Sequence, residues 1–206
     1  MEIKKLIMQY LKEQEDNEEE FLNKENNNFH CSEAGRCLRF AFFERTNPLP
    51  NSDETKRIFM LGHIFHSFLQ QNILKDYIIE HKFKMELPEF TISGMIDAHN
   101  DNEIIEIKTS SNLYYIQSPK EENIAQANLY LHYTNLPEAR IIYLGKNDLQ
   151  VKEFKIKYNK KLYNQTIQDF EYLHEKIKNK ADPLEIKPKI SVECYRCKYY
   201  NRCFSK

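Results

Sequence analysis

The sequence predicts an α/β protein, a central mixed β-sheet flanked by helices. Three observations carry that prediction. Apolar residues recur at helical spacing through residues 54–80 and 160–180. Short runs of strand character at 92–98 and 104–109 flank the turn residues His99-Asn-Asp-Asn102. The order of the periodicities is helices, a run of strands, a helix, two more strands and a last helix. The chain has 206 residues, 41% hydrophobic and 30% charged, which is globular composition with length for one compact domain and a small appendage.

The elements follow in order. Residues 1–30 read as a short helix, Ile3–Leu11, and an acidic tether that includes Glu13–Glu20 and Asn26-Asn-Asn28, expected to be mobile. Residues 32–45 read as a helix with Ser32 as N-cap, followed by a Pro-containing loop from Asn47 to Asp53. Residues 54–80 read as a long amphipathic helix with Ile58, Leu61, Phe65, Phe68 and Leu69 on its buried stripe. Phe83–Leu87 reads as a strand, followed by a hairpin of Ile92–Ala98 and Ile104–Thr109. Glu121–Tyr133 is a helix ending near Asn135-Leu-Pro137, and Arg140–Leu144 and Leu149–Ile156 are two strands joined at Gly145-Lys-Asn-Asp148. A last helix spans Lys160–Lys180 with Ile167, Phe170, Leu173 and Ile177 inward, before a tail with Pro183, Pro188 and three cysteines.

The bulk composition excludes some classes. No apolar run reaches 18 residues, so no transmembrane helix and no membrane partner is expected. The start Met-Glu-Ile-Lys-Lys lacks the apolar stretch of a secretory leader, and the expected location is cytoplasmic. A net charge of −1 argues against a general polyanion binder. The charge is uneven, however: residues 146–206 hold 15 Lys/Arg against 8 Asp/Glu, which leaves room for a local basic face.

The chemistry centres on the hairpin, where Gly94-Met-Ile-Asp97 is followed by Glu106-Ile-Lys108. Alternation along a strand puts Glu106 and Lys108 on one face and Ile105 and Ile107 toward a core. Asp97, on the neighbouring strand, is placed to share a site with Glu106. Paired carboxylates hold hard divalent cations through oxygen. Such a cation acidifies water and screens phosphate charge, and a lysine stabilises the charge that develops on phosphoryl transfer. The pattern is that of a divalent-metal phosphodiesterase.

Other residues join this pattern. Gly62 and His66 share a helix face, and a histidine there can ligate a metal or position its water. Gln126 and Tyr130 share another face and can bond phosphate oxygens or a base. Cys194-x-x-Cys197-x5-Cys203 has metal-ligand spacing, and Cys37 is a better fourth thiolate than Cys31, which lies just outside the helix. Four thiolates bind Zn²⁺ or an iron–sulfur cluster, and spacing does not choose between them. Either would close the chain across about 157 positions, from Cys37 to Cys194, which favours a structural role.

Taken in order, Ser32-x4-Cys37-x-Arg39, Gly62-x3-His66, Gly94-x-x-Asp97, Glu106-x-Lys108, Gln126-x3-Tyr130 and the cysteine trio resemble the RecB-like branch of the PD-(D/E)XK nucleases. The resemblance is to its iron–sulfur group, which includes the fourth CRISPR-associated (Cas) exonuclease family and the nuclease domains of AddB-type recombination helicases. It covers about residues 32–206, and the domain it implies is 31–206, with 1–30 as the appendage. Ile96 precedes Asp97 where other branches carry proline, and Leu38 stands where CRISPR-associated members often carry proline.

The resemblance implies a restriction-endonuclease-like fold and a role for each residue. Asp97, Glu106 and His66 would hold Mg²⁺ or Mn²⁺, with the carbonyl of Ile107 completing the shell. Lys108 would be the catalytic lysine, and Gln126 and Tyr130 an accessory motif beside the substrate strand. Cys37, Cys194, Cys197 and Cys203 would hold a structural [4Fe–4S] cluster. The implied activity is a deoxyribonuclease, an exonuclease on single-stranded DNA or DNA ends, serving CRISPR adaptation, phage DNA metabolism or repair beside an integrase or helicase partner. The competing readings are a non-catalytic adaptor and a zinc-stabilised nucleic-acid-binding module.

Overall fold

The computed structural model of the protein describes residues 3, 5–7, 9, 10 and 27–204. Most of the expected tether and the end of the first helix lie outside these. The described residues from 3 to 10 are helical. No helix among the described residues is long and apolar enough to cross a membrane.

Six strands form one mixed sheet: β1 (Asn28–His30), β2 (Ile78–Glu86), β3 (Thr91–His99), β4 (Glu103–Ser110), β5 (Glu138–Gly145) and β6 (Val151–Lys157). β2 runs antiparallel along the whole of β3. The opposite edge of β3 is shared: β1 pairs parallel with Thr91–Ser93, and β4 pairs antiparallel only at Ala98↔Ile105 and His99↔Ile104. β4 and β5 are parallel, linked by the helix α3 (Glu121–Thr134), and β6 closes the far edge antiparallel to β5. Asn28, read as tether, begins β1 and pairs with Thr91 of β3.

The remaining helices are α1 (Leu38–Thr46), α2 (Asp53–Asn72), α4 (Lys160–Lys178) and the short α5 (Tyr200–Phe204). One core forms between the sheet and α3 and α4, around Phe29, Ile92, Ile96, Leu129, Ile141, Phe170 and Leu173. A smaller core joins Ile105, Ile107, Ala98 and Leu144 of the sheet to Leu69 of α2. In α4, Phe170, Leu173 and Ile177 are buried as the periodicity predicts, and Ile167 packs partly against them.

Three expectations change. Ser32 is not a helix N-cap: it lies in a 3₁₀ turn at Cys31–Glu33, the chain bends at Gly35 with φ +69°, and α1 begins only after Cys37, its N-cap. Gly35 is needed twice over, for its left-handed backbone and because a Cβ there would meet Glu122 Cα at 3.0 Å. The helix expected over 54–80 stops at Asn72, where the amides of Ile73 and Leu74 both return to Leu69 O at 2.9 Å, and the β-branched pair Ile78–Ile79 starts β2 instead. The expected buried stripe of that helix is mostly not buried. Leu69 is buried and Phe65 half-buried, but Ile58, Leu61 and Phe68 are exposed, because α2 meets the sheet core only through its second half.

Several lysines of the basic C-terminal stretch are paired across the chain. Lys155, Lys176, Lys178, Lys189 and Lys198 pair with Glu138, Glu185, Glu89, Glu121 and Glu44 from other parts of the chain.

Candidate active site

The site lies where β3 and β4 part. Their ladder ends after Ala98↔Ile105, so Ile107 N–H has no strand partner on β3. The carboxylate of Asp97 takes its place: Ile107 N donates to Asp97 Oδ2 at 2.7 Å. Asp97 is thereby fixed at the mouth of the gap while its other oxygen, Oδ1, lies 3.4 Å from His66 Nδ1 on α2. Gln70, one helical turn beyond His66, donates to the carbonyl of Asp97 at 3.0 Å and holds α2 over the gap.

Glu106 enters from β4 and is 1% exposed. Its Oε1 lies 2.6 Å from Lys108 Nζ, and its Oε2 is buried with no hydrogen-bond partner among the described residues. Burial and the neighbouring Asp97 charge push the Glu106 carboxyl up to about 7. Burial alone would lower the pKa of Lys108, but the carboxylates of Glu106 and Asp97 outweigh it and hold the ammonium protonated. His66 follows the same logic: burial disfavours its charge, and the hydrogen bond and charge of Asp97 reverse the balance and raise its pKa.

Behind Lys108 runs a chain of hydrogen bonds. Lys108 Nζ donates to Gln126 Oε1 at 3.1 Å, Gln126 Nε2 donates to Tyr130 OH at 2.7 Å, and Tyr130 OH donates to the carbonyl of Met95 at 3.0 Å. Tyr130 is 2% exposed and Gln126 is buried, so the pair lies beneath the lysine rather than facing an open groove. As placed, they orient Lys108 and tie β3 to α3. Direct contact of Tyr130 with a substrate strand does not match this burial.

Asp97, Glu106, His66 and Lys108 are therefore brought together. Among the described residues, however, no three His, Cys, Asp or Glu side chains close on one point as ligands of a single ion would. The chemistry of the donor set still fits a hard cation, which would take up the unpartnered Glu106 oxygen and neutralise two adjacent carboxylates. Gly62, on the helix face of His66, has space around it: a Cβ there would have Thr109 Oγ1 as its neighbour, at 3.9 Å. Gly94 is the tight one, since a Cβ would sit 2.7 Å from the Phe83 ring and 2.9 Å from Cys31 Sγ.

Four of the five cysteines lie at one place and Cys31 at another. Cys37, Cys194, Cys197 and Cys203 line one cavity of about 290 Å³ between α1 and the C-terminal tail. Backbone amides point at three of the sulfurs: Lys189 N to Cys37 at 3.3 Å, Ser191 N to Cys194 at 3.5 Å and Tyr199 N to Cys197 at 3.4 Å. Such N–H···S contacts stabilise thiolates. Cys31 lies elsewhere, fully buried in the main core, where burial and Glu106 push its thiol well up.

The tail is fastened by Arg39, to which the motif gave no role, and by Tyr199, which no motif included. The guanidinium of the buried Arg39 donates to Ile186 O at 2.8 Å and Leu184 O at 2.9 Å, and reaches Cys203 O at 3.5 Å. Tyr199 is stacked on Phe43 at 4.9 Å, donates to Glu44 and accepts from Leu49 N at 2.9 Å. Gln70 was also missed, although its i+4 spacing from His66 put it on the same helix face.

No family model and no curated protein matches the chain. Solved structures do. The protein designated SSO0001 has a TM-score of 0.69 and 20% identity, covering 97% of this chain and 96% of that one. The alkaline exonuclease LHK-Exo from Laribacter hongkongensis has a TM-score of 0.55 and 14% identity, covering 79% of this chain and 93% of that one. LHK-Exo in complex with dAMP gives 0.50 and 14%, covering 74% and 88%. With a six-stranded mixed sheet between helices, the fold is restriction-endonuclease-like.

Proposed function

We propose that the protein is a nuclease that hydrolyses DNA phosphodiesters with Mg²⁺ or Mn²⁺, as an exonuclease on single strands or free ends. The observation that carries this reading is the buried, unpartnered Oε2 of Glu106, set beside Asp97 and a lysine held in its charged form. A purely structural pair would not leave a carboxylate oxygen buried and unsatisfied, since such a group costs roughly 1–3 kcal/mol. The solved exonuclease relatives, one of them bound to dAMP, support the same substrate class.

Asp97, Glu106 and His66 would hold the cation, with the Ile107 carbonyl as a further ligand. When bound, the ion supplies Lewis acidity at a phosphoryl oxygen and acidifies water. Lys108 stays protonated beside Glu106 and Gln126, so it does not serve as the base. Its ammonium stabilises charge developing on the phosphoryl oxygens. Gln126 and Tyr130 keep that ammonium aimed, and the Ile107 N–H bond keeps the Asp97 carboxylate from rotating away. Such an enzyme would serve CRISPR adaptation, phage DNA metabolism or repair, with an integrase or helicase as partner.

We propose further that Cys37, Cys194, Cys197 and Cys203 hold a structural [4Fe–4S] cluster, with Zn²⁺ as the alternative. The support is the shared cavity and the amides directed at three sulfurs. Anaerobic purification and metal analysis decide between a brown iron protein and a colourless zinc one.

The test of the nuclease is cleavage of end-labelled single-stranded DNA with Mn²⁺, beside Lys108→Ala and a chelator control. Cleavage lost in both controls supports the assignment. A folded, cluster-loaded wild type that leaves the strand intact overturns it and favours the adaptor.

A further inference from the structure

Resting on the nuclease reading, we propose that Tyr114 and Tyr115 form a stacking platform for unpaired bases of the substrate strand, with Arg36 taking one of its phosphates. The two tyrosines follow the catalytic strand directly. β4 ends at Ser110, two residues beyond Lys108, and a 3₁₀ turn spans Leu113–Tyr115. β4 and β5 are parallel, and ligands of such pairs gather at the carboxyl ends of the strands, where this turn sits.

The turn is built to hold its shape. Ser110 Oγ accepts from Asn112 N at 3.2 Å, and Asn112 Oδ1 accepts from Tyr114 N at 2.9 Å. Asn147 Nδ2 donates to Ser111 O at 3.0 Å and Lys152 Nζ to Ile116 O at 2.9 Å. Leu113 and Ile116 pack into the main core. Between these two anchors Tyr114 and Tyr115 are 76% and 78% exposed, their rings edge to face with centroids 5.4 Å apart. Two large aromatic rings displayed on an anchored turn have no packing role in the fold. Aromatic faces next to positive charge are how proteins hold single-stranded nucleic acid without regard to sequence.

The charge comes from a second element. Arg36, on the loop between Gly35 and Cys37, is exposed and its side chain makes no hydrogen bond or ion pair among the described residues. Its neighbour Gly35 lies against Glu122 and Ala125 of α3, beside the Gln126 that accepts from Lys108. A free guanidinium on this side of α3 suits a backbone phosphate. The occupant these features fit is a single strand: stacked bases need both faces free, and a paired end presents only its terminal base.

The experiment measures binding of a labelled dT12 oligonucleotide and of a blunt duplex of equal length by Lys108→Ala protein with Mg²⁺. In that background, Tyr114→Ala/Tyr115→Ala is expected to weaken dT12 binding about 10- to 100-fold while leaving duplex binding within about three-fold. Tyr114→Phe/Tyr115→Phe keeps the rings and is expected to restore binding to within about two-fold. Arg36→Gln is expected to lower the salt slope for dT12 by about 0.7, the loss of one phosphate contact. Equal dT12 binding by the alanine pair and its parent, failure of the phenylalanine pair to rescue, or a parent that binds duplex alone overturns the platform while the nuclease stands. An unchanged salt slope removes Arg36 from it. A parent that binds no oligonucleotide, with a wild type that cuts none, takes down both readings.

Discussion

Asp97 Oδ2 accepts a 2.7 Å hydrogen bond from Ile107 N across the point where β3 and β4 separate. One carboxylate thus replaces a missing rung of the sheet and presents its second oxygen to His66. Structural and chemical roles of Asp97 can be told apart by substitution. Asp97→Asn keeps an acceptor for Ile107 and removes the charge that opposes Glu106. Asp97→Ala leaves a buried N–H unsatisfied, at a cost of roughly 1–3 kcal/mol. Melting in a chelator is expected to place Asn at or above wild type and Ala about 2–6 °C below Asn. Both variants are expected to lose cleavage. Equal melting of the two variants would remove the structural role.

The Glu106 carboxyl gives a pH dependence of known sign. Its pKa is raised by burial and by Asp97 to about 7, against an ordinary value of 4.5. The folded state therefore binds a proton that the unfolded state has released between those values. The stabilisation is fully present below pH 4.5 and is lost as pH rises through about 7. Metal-free protein is expected to melt at least about 2 °C higher at pH 6 than at pH 8 from this group alone. Glu106→Gln, always neutral, is expected to flatten that difference. Calorimetry of both proteins in a chelator checks it, and parallel pH profiles would sink the assignment.

The same residues show what was legible in the sequence. Glu106-x-Lys108 on one strand face, Asp97 beside it and His66 on a helix were readable because side-chain direction follows from period and spacing. The fold class followed from the alternation of those periods. The strand β1 was not readable: three residues, Asn28–His30, carry no period, and their pairing depends on the distant β3. The exposed Ile58, Leu61 and Phe68 were misplaced because helical periodicity marks an apolar face without showing where along its length a partner lies. Arg39 and Tyr199 were missed as fasteners of the tail because their partners are backbone carbonyls and residues about 145 to 155 positions away.

Gly94 opens the motif that Asp97 closes, yet its contacts are with the core. A Cβ would overlap the Phe83 ring at 2.7 Å and Cys31 Sγ at 2.9 Å. Phe83 is held by Tyr130 and by stacking on Tyr133 at 4.1 Å, so it has little room to yield. Gly94→Ala is expected to cost about 1–3 kcal/mol by overpacking. Cys31→Ala removes part of the clash, so the double variant is expected to be more stable than additivity of the two single changes allows. A double-mutant cycle of denaturation free energies measures that coupling. Additive changes would show that the crowding at Gly94 lies with Phe83 alone.

The five cysteines make a built-in control for the proposed metal site. Cys31 packs in the core against the position of Gly94, whereas Cys197 lines the cavity with a backbone amide on its sulfur. Cys31→Ala is expected to leave the metal content of anaerobically purified protein unchanged, while costing some stability through the small cavity left behind. Cys197→Ser is expected to remove most of the iron or zinc. Arg39→Ala leaves all four thiols in place but frees the carbonyls of Leu184 and Ile186 and the turn at Cys203. It is therefore expected to load metal and lose it faster to a chelator, by about ten-fold or more, because the loss of second-layer support typically weakens metal sites 10- to 100-fold. Metal analysis of the three variants, with the rate of chelation followed by absorbance, separates a ligand from a fastener and from a core thiol. Metal loss in Cys31→Ala comparable to that in Cys197→Ser would overturn the division of the cysteines.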